Sequence, residues 1–370
     1  MESKILFIGL DVDDKNYHGY AIFEKEEQGT AFKTKATPTA LFKVLEKFKS
    51  PTTTIQICYE STYCGFHLCR EIQNAGYECT VIASSLIPEV SGPKVKTDRL
   101  DAQKLARYFS KSLLTAVHMP DAEDERNRML IRSRGFLKKQ HIEIKRHIIA
   151  ICKQLGWVYR EEHGASAAYW TDTHLAWLKR QFKETDPIIR KNFEILISQL
   201  DSLEKRIEEY AEQIRKLSEL PRYEEKVKSL ICYRGIDILS AMVFVTELGD
   251  IKRFSHPKKL TSYVGLDIIE YSSGGVAKRY STTKMGNKHV RRILTESVQS
   301  AIRPVMLSKE LKKRRVGVDL KYTDVADRCM TRLHKKATAL LFRGKPMNKI
   351  KSACAREMLG FIWESLNLVN

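Results

Sequence analysis

From Ile189 the apolar residues advance in alternating steps of four and three: Ile189, Phe193, Leu196, Leu200, Leu203, Ile207, Tyr210, Ile214 and Leu217. That is an a/d heptad held over about four heptads, and it commits this stretch to one long helix that must lay its apolar seam against another helix. Asp186 and Pro187 supply a cap and a first helical residue, and Pro221 stops the run. Between the apolar positions lie the charged residues of EKRIEEYAEQIRK, as on the flanks of a coiled coil. The length of the register points to a dimerising coiled coil. The alternative is an antiparallel hairpin within the chain, formed with residues 122–155. Those residues belong to a basic stretch, RNRMLIRSRGFLKKQHIEIKRHIIAICKQLG, that reads as a long helix over 122–160.

Ahead of these helices the pattern changes. Residues 4–12 and 18–24 read as strands around the polar turn DDKNYH, with a third strand at 30–35. ATPTALFKVLEKFK reads as a helix starting near Thr37 or Thr39, TTIQICYE as a strand, GFHLCREIQNAG as a helix and ECTVIAS as a strand. SSLIPEVSGPKVKT reads as a loop, and a helix follows from about residue 98. The expected product is an α/β domain over roughly residues 1–115. Four acids stand at its element ends. Asp11 ends the run KILFIGLDV, Glu60 ends TIQICYE, and Asp98 and Asp101 form a D-x-x-D pair in KTDRLDAQKLARYF. Two residues three apart share one helix face. Two strand ends and one helix start can therefore gather four carboxylates, which repel one another unless a divalent cation lies among them. Each acid alone could equally be a cap or an ion-pair partner, Asp98 above all. Asp13 and Asp14 read as turn residues. The constellation points to Mg²⁺ chemistry on phosphodiesters.

Composition agrees with that direction. The chain has 370 residues and a formal charge of +19, which implies a polyanionic partner, nucleic acid first. No apolar run approaches the roughly 20 residues of a membrane span, and MESKILFIGLDVDD lacks a signal-peptide pattern. The eight cysteines form no C-x-x-C pair, which argues against zinc and for a reducing, cytoplasmic setting.

Residues 226–303 hold a second group of signals. KVKSLICYRGIDILSAMVFVTELGDI reads helix, glycine turn, helix, with Arg234 and Gly235 in the turn. A helix-hairpin-helix uses such turn amides to hold a DNA phosphate. Ser272 and Ser273 then precede Gly274 and Gly275, and a train of cations follows: Lys278, Arg279, Lys284, Lys288, Arg291 and Arg292. A serine there could attack a phosphate while the cations hold the anion. By spacing alone a plain flexible loop explains the same residues. Further basic segments occupy 309–315 and 334–351, and AREMLGFIWESL reads as a closing amphipathic helix.

Several pieces together resemble one family across nearly the whole chain. They are IGLDV, YESTYCGF, KTDRLDAQKLA, the heptad spacer, YRGIDILSA, the segment from RF to SYVGL, and SSGG followed by TKMGNKHVRRIL. The chain resembles the DEDD-type insertion-sequence transposases, bridge-RNA-guided recombinases that also include the pilin-gene-inverting recombinase. The resemblance implies a RuvC-like (ribonuclease-H-like) α/β domain at 1–115, with Asp11, Glu60, Asp98 and Asp101 as its catalytic, metal-binding acids. It implies coiled-coil helices at 116–222. It implies a mostly α-helical transposase domain with a helix-hairpin-helix at 223–370, whose nucleophile is the serine directly before glycine, Ser273. That serine would form a phosphoserine intermediate and free a 3′-hydroxyl, with Mg²⁺ assistance. Donor and target DNA, a guide RNA, and assembly into homodimers or homotetramers are the implied partners. A cytoplasmic, nucleoid-associated protein is the implied setting. Arg234, Gly235, Lys278, Arg279, Lys284, Lys288, Arg291 and Arg292 are the expected nucleic-acid contacts. Asp267 stands where the family often has proline. The competing expectation is a RuvC-like endonuclease that uses water and has no need of Ser273. A third is a binding protein without catalysis.

Overall fold

The computed structural model describes residues 4–88, 97–273 and 276–369, with the side chains of 272–279 outside the described set. Most of the loop expected at 84–97, and Gly274 and Gly275, therefore lie outside the described residues. The chain divides into two compact units, 1–120 and 121–370.

The first unit runs β1 (Lys4–Val12), β2 (Asn16–Phe23), β3 (Thr30–Lys35), α1 (Pro38–Leu45), β4 (Thr53–Glu60), α2 (His67–Asn74), β5 (Glu78–Ile82) and α3 (Asp98–Ser110). Among the described residues its sheet has the order β3-β2-β1-β4-β5, antiparallel from β3 to β1 and parallel from β1 to β5. Period-two alternation gives each face its own core. Leu6, Ile8, Leu10, Ile57 and Tyr59 pack with Leu41 and Leu45 of α1 and Leu68 and Ile72 of α2. On the opposite face Phe7, Tyr20 and Ile22 pack with Ala102 and Ala106 of α3, and Cys58 and Ile82 pack with Leu105.

Gly9 lies on that second face, directly under α3. A Cβ at residue 9 would meet the Ala102 carbonyl, the Ala106 amide and, at 2.8 Å, the Leu105 Cβ. Only glycine lets the helix come this close to the strand. Small residues on both sides of the contact, Gly9 below and Ala102 and Ala106 above, make it a backbone-to-backbone approach.

The second unit opens with an arm. α4 (Ala122–Gln154) runs out, and α5 (Tyr159–His163) and α6 (Asp172–Lys183) form its tip. α7 (Pro187–Ser218) returns. Pairings at both ends show the antiparallel course. Asn127 donates to the Tyr223 hydroxyl at 2.7 Å near the base, and Trp157 stacks on Phe193 at the tip. The heptad thus finds a partner inside the chain. Phe193 and Leu200 pack with Ile148 and Cys152 of α4, and Ile214 shares the main core with Ile131. The intramolecular hairpin, the alternative reading of the heptad, accounts for its buried seam. An aromatic cluster of Trp157, Tyr159, Trp177, Phe182 and Phe193 closes the tip.

The rest of the unit is α8 (Glu224–Ile231), α9 (Ile238–Leu248), α10 (Pro257–Val264), β6 (Ile268–Ser273), β7 (Val276–Thr282), α11 (Lys288–Ala301), α12 (Lys309–Arg314), α13 (Leu320–Phe342) and α14 (Met347–Asn367). Helices α8 to α14, apart from the short α12, share one core with the arm's base. The segment expected as a glycine-rich loop is an antiparallel hairpin, β6 with β7, in which Ser273 pairs with Val276. No described helix is long and apolar enough to cross a membrane.

A fully buried carboxylate ties these helices together. Arg132 of α4 donates twice to Glu247 of α9, at 2.7 and 2.9 Å, and Asn287 donates to it at 2.8 Å. The end of α9 is served by the same neighbours. Arg128 donates to the Thr246 carbonyl at 2.6 Å and Tyr263 to the Glu247 carbonyl at 3.1 Å, satisfying groups that a helix end leaves orphaned. Burial pushes the Glu247 carboxyl up, but the Arg132 hydrogen bonds and charge, with Asn287 and His289, hold it below the usual carboxylate range.

Gly9→Ala should lower the unfolding free energy by about 1–3 kcal/mol through overpacking. Gly360→Ala, in α14 with open space around it, should raise it by up to about 1 kcal/mol; urea titrations of both variants check the contrast. Glu247→Gln should cost about 1.5 kcal/mol, because the half-exposed Arg132 loses charge-assisted hydrogen bonds to a buried anion. A carboxyl whose folded pKa is depressed stabilises the fold above its unfolded pKa and loses that contribution as pH falls through the folded value. Thermal melts of the wild type should therefore decline on acidification more steeply than those of Glu247→Gln.

Candidate functional site

The sheet's alternation decides where the acids point. Asp11 continues the face of Phe7 and Gly9, the face that α3 covers. In β2 the cross-strand partner of Asp11 is His18, which continues the face of Tyr20 and Ile22. In β4, Glu60 continues the face of Cys58. Strands β1 and β4 run parallel with Leu10 beside Tyr59, so Asp11 and Glu60 stand at adjacent strand ends. Helix α3 then brings its first turn over the same point. Thr97 caps that helix by accepting from the Leu100 amide at 3.3 Å. Asp98 is thereby relieved of the capping role, and it and Asp101 occupy the first turn, where the helix dipole favours negative charge.

Asp11, His18 and Asp98 each offer a donor atom, and the three atoms lie within 4.8 Å of one another. His18 Nδ1 is 3.3 Å from the Asp98 carboxylate. Burial first, then the charges of Asp98 and Asp101, raise the Asp11 carboxyl; His18 pulls it down and Glu60 adds to the rise. The half-buried Asp11 is thus the group on which the other three acids act. Two carboxylates and an imidazole with two more carboxylates alongside fit a divalent cation that takes oxygen donors and tolerates one nitrogen. Such an ion would relieve the repulsion among these carboxylates.

His18 escaped the sequence reading. Its signal was present in the strand register: seven residues on from Asp11 across a tight turn, it is the residue that faces Asp11.

In the second unit the structure places the other expected residues on and around the β6–β7 hairpin. Ser273 is the last residue of β6; its side chain, like those of Ser272, Lys278 and Arg279, lies outside the described residues. The hairpin's two legs are tied at the base. Lys284 N donates to the Gly265 carbonyl at 3.0 Å, Thr283 N to Asp267 at 2.8 Å, and Asn287 N to Tyr263 at 2.9 Å. Asp267, standing where the family often has proline, also accepts from the Ser262 hydroxyl. Asn287 caps α11 through its side-chain oxygen while its amide reaches Glu247. The buried carboxylate therefore holds the point from which the hairpin departs. Lys284, Lys288, Arg291 and Arg292 surround a cavity of about 520 Å³ beside that base.

The turn between α8 and α9 is packed inward. Gly235, at φ +89°, is pressed against the Ser297 carbonyl of α11, and Arg234 donates to the Pro304 carbonyl at 2.6 Å. The Cys232 and Ile236 carbonyls accept from Arg315 and Arg314. Packing on α11 is reason enough for glycine at this position.

Comparison with known proteins agrees with both halves of this arrangement. Residues 8–156 match the model of DEDD transposases of the IS110 type, and residues 228–312 match that of the transposase IS116/IS110/IS902 family. A putative transposase, y4qE, of Sinorhizobium fredii is 30% identical over 364 residues, covering 96% of this chain and 87% of that protein. The transposase for insertion sequence element IS1533 of Leptospira borgpetersenii is 28% identical over 94% of this chain and its own full length. The transposase for insertion sequence element IS1111A of Coxiella burnetii is 23% identical over 57% of this chain and 56% of its own. The chain belongs to the IS116/IS110/IS902 family of insertion-sequence transposases, enzymes that cut and rejoin DNA.

Proposed function

We propose that this transposase recombines DNA through a serine phosphodiester, with its acidic cluster holding Mg²⁺. The observation that carries the reading is the gathering of donor atoms of Asp11, His18 and Asp98 within 4.8 Å of one another, with Asp101 and Glu60 near enough to raise the Asp11 carboxyl. The order of the sheet and the match to a DEDD transposase domain support a RuvC-like fold for residues 1–115. In this reading Asp11, Glu60, Asp98 and Asp101, with His18 beside them, would hold the ion, which would supply positive charge against the attacked phosphate.

Ser273 supplies the nucleophile. Its hydroxyl oxygen gives up its proton and bonds to phosphorus; the P–O3′ bond breaks, and the leaving oxygen takes a proton to become a 3′-hydroxyl. A 3′-hydroxyl from the second DNA end then attacks the phosphoserine and regenerates the serine. One phosphodiester is exchanged for another, so no external energy is consumed. Lys278, Arg279, Lys284, Lys288, Arg291 and Arg292 would balance the phosphate charge along the strand. The basic arm and the net charge of +19 support a structured guide RNA as a second polyanion, which would leave sequence choice to base pairing. Assembly into dimers or tetramers belongs to the same reading; with the heptad seam covered by α4, the outward residues Ile188 and Ile195 are what α7 leaves to a partner.

Since the acids gather within one unit, hydrolysis by an activated water is the competing chemistry. A covalent protein–DNA adduct separates the two. Ser273→Ala should abolish both adduct and strand exchange while DNA affinity stays within about twofold; strand exchange at wild-type rate would overturn the serine assignment. Asp11→Asn should remove the thermal stabilisation that Mg²⁺ gives the wild type, and should itself raise the melting temperature in chelator, because one repelling charge is gone. A Mg²⁺ response equal to that of the wild type would overturn the metal assignment.

A further inference from the structure

The cavity beside the hairpin base has a second wall, which takes in the end of the basic segment 334–351. One wall is a face of α11, where Lys288, Arg291 or Arg292, and Thr295 recur at helical spacing. The other is the first turns of α14, with Asn348, Lys351 and Ser352 one turn apart. Lys284 closes one end from the leg of the hairpin. The charge on these walls is one-sided. Glu296, the acid on the α11 wall, is taken up by Arg292 at 3.5 Å. Among the described residues, Lys284, Lys288 and Lys351 have no carboxylate partner. Arg291 spends one nitrogen on the Val264 carbonyl, at 2.6 Å, and forms no ion pair among the described residues. Helix α14 begins at Pro346 without a side-chain cap, so its positive end adds to the same field.

Four cations and an uncapped helix start around one concavity repel one another and call for an anion. Asn348 and Ser352 add neutral polar groups of the kind that position phosphate oxygens, while the Thr295 hydroxyl donates to the Arg291 carbonyl at 2.8 Å. A cavity of about 520 Å³ is of small-ligand size, within roughly 300–1,000 Å³. Its volume holds a nucleotide or two of one strand, too little to enclose both strands of a duplex. We propose that the cleft between α11 and the start of α14 binds the phosphodiester backbone of a single nucleic-acid strand, with Lys351 and Asn348 as ligands. This deepens the reading above, because it names the form of nucleic acid held at the base of the serine hairpin, and it rests on that reading only for its purpose in catalysis.

The test uses the full chain carrying Ser273→Ala, in chelator, so that neither the serine chemistry nor the metal enters. Labelled 12-nucleotide DNA, RNA of the same sequence, and the DNA duplex are titrated by fluorescence anisotropy across a salt series. Lys351→Gln should weaken single-strand binding about tenfold and reduce the slope of log affinity against log salt by about 0.7, the contribution of one phosphate contact on a single strand. Duplex binding should change less than twofold. Asn348→Ala should weaken binding without changing the slope, and Lys351→Arg should retain the slope. Loss confined to the DNA oligomer identifies the strand as DNA; loss confined to RNA identifies it as RNA. An unchanged slope in Lys351→Gln, or an equal loss for duplex and single strand, overturns the proposal. Thermal melts of each variant exclude unfolding as the cause. Because no strand exchange is read, failure here leaves the serine assignment standing, and failure of that assignment leaves the cleft standing.

Discussion

The acidic cluster depends on the contact between Gly9 and helix α3. A strand end can aim Asp11 at a point in space, but the acids of α3 reach that point only if the helix lies close against the strand. The missing side chain at residue 9 and the small side chains at Ala102 and Ala106 set that separation at backbone contact. The same face then does the sorting. Alternation along β1, β2 and β4 turns Asp11, His18 and Glu60 toward α3, and Thr97 frees Asp98 from capping its own helix. Burial and like charge at Asp11 are the local cost of this geometry, and burial of apolar side chains on both sheet faces offsets it.

The second unit solves a different problem. The base of the β6–β7 hairpin is fixed by polar contacts among the described residues. Glu247 does this from a site without solvent. It fixes Asn287 on one leg through the side chain and Tyr263 on the other through its carbonyl, while Arg132 neutralises it. A buried ion pair contributes little net stability compared with apolar packing. What it supplies here is direction, because hydrogen bonds have angles and apolar contacts do not.

Much of the first unit was legible in the sequence because its elements are short and strongly patterned. Strands over KILFIGLDV and TTIQICYE, the helix after Thr37 and the helix after Thr97 lie where alternation and capping chemistry put them. Asp98 was ambiguous as a cap until Thr97 was seen to take that part. His18 was hidden because its role comes from cross-strand register rather than from local pattern. Glu247 was hidden for a related reason. Within AMVFVTELGD it looks like a helix-end acid, and its partner Arg132 is 115 residues away in sequence. The glycines after Ser273 suggested a loop, whereas the flanking residues pair as strands. The aromatic tip of the arm, assembled from three helices, has no periodic signal of its own. The heptad itself was plain; which helix it meets was not, since a/d spacing is satisfied equally by a second copy or by α4.

The arm has a consequence for how this protein can change over generations. α4 and α7 are 33 and 32 residues long and run side by side, each about 50 Å. Its two ends are anchored by separate cores, aromatic at the tip and mixed at the base. An insertion in one helix alone would slide every seam residue out of register. Seven residues added to both would lengthen the arm by about 10 Å and return each side chain to the same face. Length in this family member is therefore adjustable in matched steps, and a change in one helix of the arm carries its compensating change at a predictable distance along the other.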